Sequence, residues 1–146
     1  MSSFKIFDVA GSGLAAQSVR LNTVASNLAN ADSVSGDPNT VYKARHPVFQ
    51  AVHAALGALG GPAGAAASGS DAAVRVSGII ESNAAPTVRS DPGNPLADAQ
   101  GNVYAPNVNV IEEMTDMISA SRAYQDNVEV MSTAKELMLA TLKLGQ

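Results

Sequence analysis

The chain has 146 residues, the size of about one domain, and is 46% hydrophobic, so it can bury a core. Aromatics are 4% and charged residues 15%, well under the usual quarter of a soluble domain, so its surface reads as one that other chains cover. The net charge of −4 with nine scattered Lys and Arg argues against nucleic acid, and the absence of Cys excludes thiolate metal sites and Cys nucleophiles.

Residues 4–30 read as an amphipathic helix. Phe7, Ala10, Leu14, Gln17, Leu21, Val24 and Leu28 alternate three and four apart, the spacing of a coiled-coil seam. Gly11 and Gly13 each cost about 1 kcal/mol there relative to Ala, so the helix alone is marginal. Asn30-Ala31-Asp32-Ser33 ends it, because short polar side chains compete for backbone hydrogen bonds. Lys5, Asp8, Gln17 and Arg20 leave no apolar core for a cleavable signal peptide, and no later run is long enough to cross a membrane.

Residues 32–107 hold all seven prolines. Tyr42, Ala44, His46 and Val48 alternate with Lys43 and Arg45, predicting a strand near 40–50. A second is expected at Ala73 to Glu81 and a short third at 102–105. Residues 54–71 are almost all Ala, Gly and Ser, the composition of a flexible loop. Asp91-Pro-Gly-Asn-Pro marks a turn, since Pro fixes φ and Gly permits positive φ.

Residues 109–144 predict a long helix, free of Pro and Gly until Gly145. Asn109 can cap it, with Glu112 completing a capping-box pattern. Glu112, Glu113 and Asp116 near its start and Lys135 and Lys143 later complement the helix dipole. Its seam runs Met114, Met117, Ser121, Tyr124, Val128, Met131, Lys135, Met138 and Leu142. At about 1.5 Å per residue such a helix is ~50 Å long, too long for a compact globule of this size. A second stripe, Val130, Ala134, Leu137 and Leu144, calls for neighbours on more than one side.

Catalytic signals are weak. His46 and His53 stand without a carboxylate cluster, no Gly-x-Ser-x-Gly elbow occurs, and Gly11-Ser12-Gly13 lacks the context of a phosphate loop. The Met residues of the C-terminal seam read as helical packing rather than as an adaptable groove. No cofactor, metal or enzymatic activity is expected.

The motifs themselves resemble a family. Gly11-Ser-Gly-Leu-Ala-Ala-Gln17, Arg20-Leu-Asn22 and Ala25-Ser-Asn-Leu-Ala-Asn30-Ala-Asp are similar to the N-terminal signature of flagellar axial proteins of the rod and hook. Asn107-Val-Asn-Val-Ile-Glu-Glu-Met114 and Met117-Ile-Ser-Ala-Ser-Arg-Ala-Tyr124-Gln resemble their C-terminal signature. Asp91 to Gly101, Thr133 to Gln146, and Tyr42-Lys-Ala-Arg with Val48-Phe-Gln50 narrow the likeness to proximal rod members. It covers residues 4–50 and 73–146.

The resemblance implies a structural subunit of the proximal rod. Such a subunit leaves the cytoplasm unprocessed through the flagellar type III export apparatus. It assembles in the periplasmic space by helical self-association and joins other rod proteins and the adaptor to the membrane ring. The expected fold is mainly α. Terminal helices 1–31 and 108–146 pair as a coiled coil, and residues 32–107 form a small β-rich middle with the flexible loop 54–71. The expected assembly residues are Phe7, Leu14, Leu21, Val24, Leu28, Met114, Met117, Tyr124, Val128, Met131, Leu137, Met138 and Leu142. A hook protein would be much longer. A periplasmic coiled-coil binding module is the rival from another class, separable by sedimentation.

Overall fold

A computed structural model describes residues 3–53 and 72–144. Within these residues two helices, α1 (Ser3–Ala29) and α2 (Val110–Leu144), enclose four strands in sequence: β1 (Arg45–His53), β2 (Ala72–Glu81), β3 (Thr87–Ser90) and β4 (Asn102–Ala105). The strands form two separate antiparallel pairs, β1 with β2 and β3 with β4.

Both helices end as local chemistry requires. The Asn30 side chain donates to the Ser26 carbonyl at 2.8 Å, and Ser33 Oγ donates to the Asn30 carbonyl at 2.7 Å, so the last carbonyls of α1 are satisfied within the turn. Asn109 caps α2, its Oδ1 accepting from the Ile111 amide at 3.1 Å.

The β1–β2 pairing runs from Arg45 opposite Glu81 to His53 opposite Ala72, with one irregularity between Val48 and Phe49. Pro47 is tolerated because a two-stranded sheet has only edge strands. The strand expected near 40–50 starts later than the alternation suggests. The Ala44 amide is taken by Asn107 Oδ1 at 2.7 Å rather than by a neighbouring strand. Residues 102–105 do form a strand, and its partner β3 has no sequence signal strong enough to predict it. The Asp91-Pro-Gly-Asn-Pro turn joins the two. The flexible loop expected at residues 54–71 lies outside the described residues.

The buried apolar residues are small: Ala10, Ala16, Val24, Val41, Ala44, Val103, Ala120 and Ala134. Thr23, Asn27 and Glu113 are buried beside them. Small side chains let backbones approach closely, and they leave the larger apolar groups on the outside.

The expected fold class needs correction. Two antiparallel sheets stand beside two helices of 27 and 35 residues, so the chain is α+β rather than mainly α. Nor do the helices pair as a coiled coil. They run antiparallel, Asn27 meeting Glu113 while Arg20 meets Asp116. Near the other end, a Cβ on Gly13 would sit 3.1 Å from the Asn127 side chain. These contacts are polar or small, not large apolar knobs in holes. With Glu113 only 5% exposed, losing the Asn27 donor would leave a buried carboxylate oxygen unpaired at a cost of about 1–3 kcal/mol, which holds the register in which the two meet. Each helix therefore turns until its polar partners meet.

Candidate assembly surfaces

That rotation decides where the expected interface residues lie. On α1, Val24 is buried, while Phe7, Leu14, Leu21 and Leu28 are half-buried. The row meeting α2 is instead Gly13, Arg20 and Asn27. On α2, Met117, Met131 and Met138 are half-buried, alongside buried Glu113, Ala120 and Ala134. Met114, Tyr124, Val128, Leu137 and Leu142 are exposed, Met114 at 53%, Leu137 at 63% and Leu142 at 69%. The chain thus leaves the larger part of α2's expected seam without a partner.

Among the described residues, exposed apolar groups gather in three places. Ile111, Met114 and Ile118 follow three-four spacing near the start of α2. Further along, Ile6, Val130, Ala134 and Leu137 line an apolar groove of about 410 Å³, edged by Asp126, Glu129 and Thr133. Leu139 and Leu142 follow. Because Ile6 already lies beside Ala134 and Leu137, these last residues reach past the described start of α1. The β1–β2 hairpin adds Val48, Phe49, Ile79 and Ile80. Exposed apolar clusters of this kind mark interaction surfaces.

Behind these surfaces sits a polar joint. Asn27 has no exposed surface. Its Nδ2 donates to Glu113 Oε1 at 2.8 Å and to the Arg45 carbonyl at 2.9 Å. Its Oδ1 accepts from the Arg45 amide at 3.0 Å and from the Tyr42 hydroxyl at 2.9 Å. A carboxamide has two donor hydrogens and two acceptor lone pairs, and all four are used. The Arg45 guanidinium lies over the Tyr42 ring, 5.5 Å from its centre, and pairs with Glu81 at 3.1 Å. Asn107 makes a second bridge, accepting from the Ala44 amide and donating to the Ala84 carbonyl at 2.8 Å. Ser12 Oγ makes a third, accepting from the Val74 amide at 3.1 Å and so linking α1 to β2.

Sequence reasoning does not single out these bridging residues, although Asn27, Tyr42, Asn107 and Glu113 all stand inside the motifs quoted above. Asn27 lies in the last turn of α1, so its place on the flank of an apolar seam was the available signal.

A further turn is built on Asp98. Its Oδ1 accepts from the amides of Asn102 at 2.8 Å and Gln100 at 2.9 Å, and its Oδ2 accepts from the Tyr104 hydroxyl at 3.3 Å. The Asn102 amide leads in holding the Asp98 carboxyl below its ordinary range. Tyr104 moves the other way, raised by burial first and then by the Asp98 charge. Among the described residues no three metal-ligating side chains gather. No described helix is long and apolar enough to cross a membrane.

Comparison with known proteins defines the class. The family described as "Flagella basal body rod protein" matches residues 7–36, and "Flagellar basal body rod FlgEFG protein C-terminal" matches residues 99–144. The chain belongs to the flagellar basal-body rod protein family. A relative in Escherichia coli O6:H1, named "Flagellar basal-body rod protein FlgC", is 53% identical over 146 residues, covering 100% of both chains. The protein of that name in Salmonella typhimurium is 51% identical over the same full length. The one in Aquifex aeolicus is 38% identical over 98% of this chain and 97% of its own. The likeness therefore runs through residues 54–71 as well, which the motifs alone leave outside.

Proposed function

We propose that this chain is a structural subunit of the proximal flagellar rod, polymerising through α1 and α2 into the hollow drive shaft that transmits torque. The observation that carries this is the end-to-end identity with proteins named as basal-body rod proteins, 53% over 146 residues. The exposed apolar row and groove of α2 support it, since a monomer gains nothing by leaving Leu137 and Leu142 in water. The subunit works as a building block and not as an enzyme.

The finer parts of the reading follow the family. The assembly residues are those of the two terminal helices, with the middle segment facing outward. Partners are further copies, other rod proteins, the adaptor to the membrane ring and, in transit, the type III export apparatus. The location is the rod in the periplasmic space.

Leu137→Asp or Leu142→Asp should abolish motility by blocking incorporation, because an unpaired charge in a packed interface costs several kcal/mol. Both side chains are exposed in the single chain, so the change spares its fold. Basal bodies would be counted in cells making only the variant, with export followed in parallel. Normal basal bodies would remove α2 from the interface.

A further inference from the structure

We propose that Asn27 is the positioning residue of this subunit, fixing the register of α2 on α1 and tying the foot of the β1–β2 hairpin to that pair. Three elements converge on its side chain: α1, which carries it; α2, through Glu113; and the start of β1, through both backbone groups of Arg45. Tyr42, from the segment before β1, closes the set. Sliding α2 by one turn would strand a buried carboxylate and a buried carboxamide together, so the alternatives are excluded as well as the native register favoured.

The helices need such a device. Their contact is made of small and polar groups, Gly13, Arg20 and Ala120 among them, and small side chains interlock weakly along a helix. The hairpin needs it too. Its lower end is bound by Asn27 at Arg45, and its upper half by the Ser12 to Val74 bond. These bonds fix the hairpin on a helix pair against which Ile79 also lies, beside Val19 and Thr23 of α1, while Ile80 points to the opposite face. The joint orients the surfaces that neighbours touch without touching a neighbour itself.

The test is a reversal of the pair. Asn27→Asp places two carboxylates at hydrogen-bond distance, where both cannot stay ionised. The groups facing them are the Arg45 backbone amide and the Tyr42 hydroxyl, with the Arg45 guanidinium over the Tyr42 ring and paired to Glu81, and the Arg20–Asp116 pair one turn along α2. Repulsion raises the folded-state titration of the pair above its unfolded value. The variant should therefore be stabler below that range and lose stability as pH rises through it. We expect a melting midpoint about 10 °C below wild type at neutral pH, partly regained at pH 5. Adding Glu113→Gln supplies a donor to the carboxylate introduced at position 27, and the double variant should recover at least half of the loss and show no such pH dependence.

Motility of cells carrying each variant should follow the same order, with the double variant spreading several-fold further than Asn27→Asp. Only this arm rests on the rod-subunit reading. The proposal is overturned if Asn27→Asp melts like wild type at neutral pH, or if the double variant melts no higher than the single. Melts that follow the expected order while motility ignores them would sink the rod reading and leave the joint standing.

Discussion

Gly36 is held glycine by its neighbour, not by its torsion angles. A Cβ there would collide with the Leu96 carbonyl oxygen, which is backbone and cannot swing away. Gly36→Ala should therefore cost about 1–3 kcal/mol, the usual penalty of overpacking, read as a fall in the melting midpoint. An unchanged midpoint would mean that the 33–40 and 91–98 segments part easily. Gly101 differs, since its φ of 79° lies where side chains are strained. Asn107 works through both ends of one amide, holding Ala44 and Ala84 together across the chain. Gly36 and Asn107 act by contacts far away in sequence, which is why a local reading passes over them.

Among the elements, the turn from Asp98 to Tyr104 has a predictable pH response. The folded-state carboxyl of Asp98 titrates below its unfolded range, held there first by the Asn102 amide. Its contribution is complete above the ordinary carboxylate range and lost as pH falls through the lowered folded value. Asp98→Asn keeps an acceptor for the two amides and removes the charge. The gap in melting midpoint between wild type and variant should stay level from neutral pH down to the ordinary carboxylate range and narrow only below it. A gap that stays constant would deny Asp98 that role. The long helix α2 carries two requirements along one rod of sequence, an inward row fixed by Asn27 and Arg20 and outward apolar groups left for neighbours. Periodicity detects that both stripes exist, but a row such as Met117, Met131 and Met138 fits either seam equally well.

For the whole molecule, the hairpin sets what residues 56–70 must do. β1 and β2 remain paired to His53 opposite Ala72, so the two chain ends entering that segment already lie side by side. A turn of about 2–5 residues spans such ends, and loop-closure entropy changes slowly with length. Deleting most of residues 56–70 should therefore leave rod assembly and motility intact. Cells that export the shortened chain yet build no rod would make the segment a contact site instead of a spacer.

Two long terminal helices, the strand at Ala73 to Glu81, the Asn109 cap and the turn at Asp91 were legible in the residues alone, because each depends on neighbours within a few positions. So was the family, since its motifs occupy both ends of the chain. The strand β3 was not legible: Thr87–Ser90 is four exposed residues that become a strand by pairing with Asn102–Ala105. The helix seam escaped the spacing for a related reason. Hydrophobic periodicity treats Glu113 and Asn27 as surface, yet Asn27 donates to Glu113 once both are buried, and Arg45 and Tyr42 fill the other sites of Asn27. Local pattern determines where the long helices and the strand at Ala73 to Glu81 form, whereas β3 depends on its partner. Which face of a helix turns inward was decided by hydrogen-bond partners 86 residues apart, a pairing that exists only after the chain has folded.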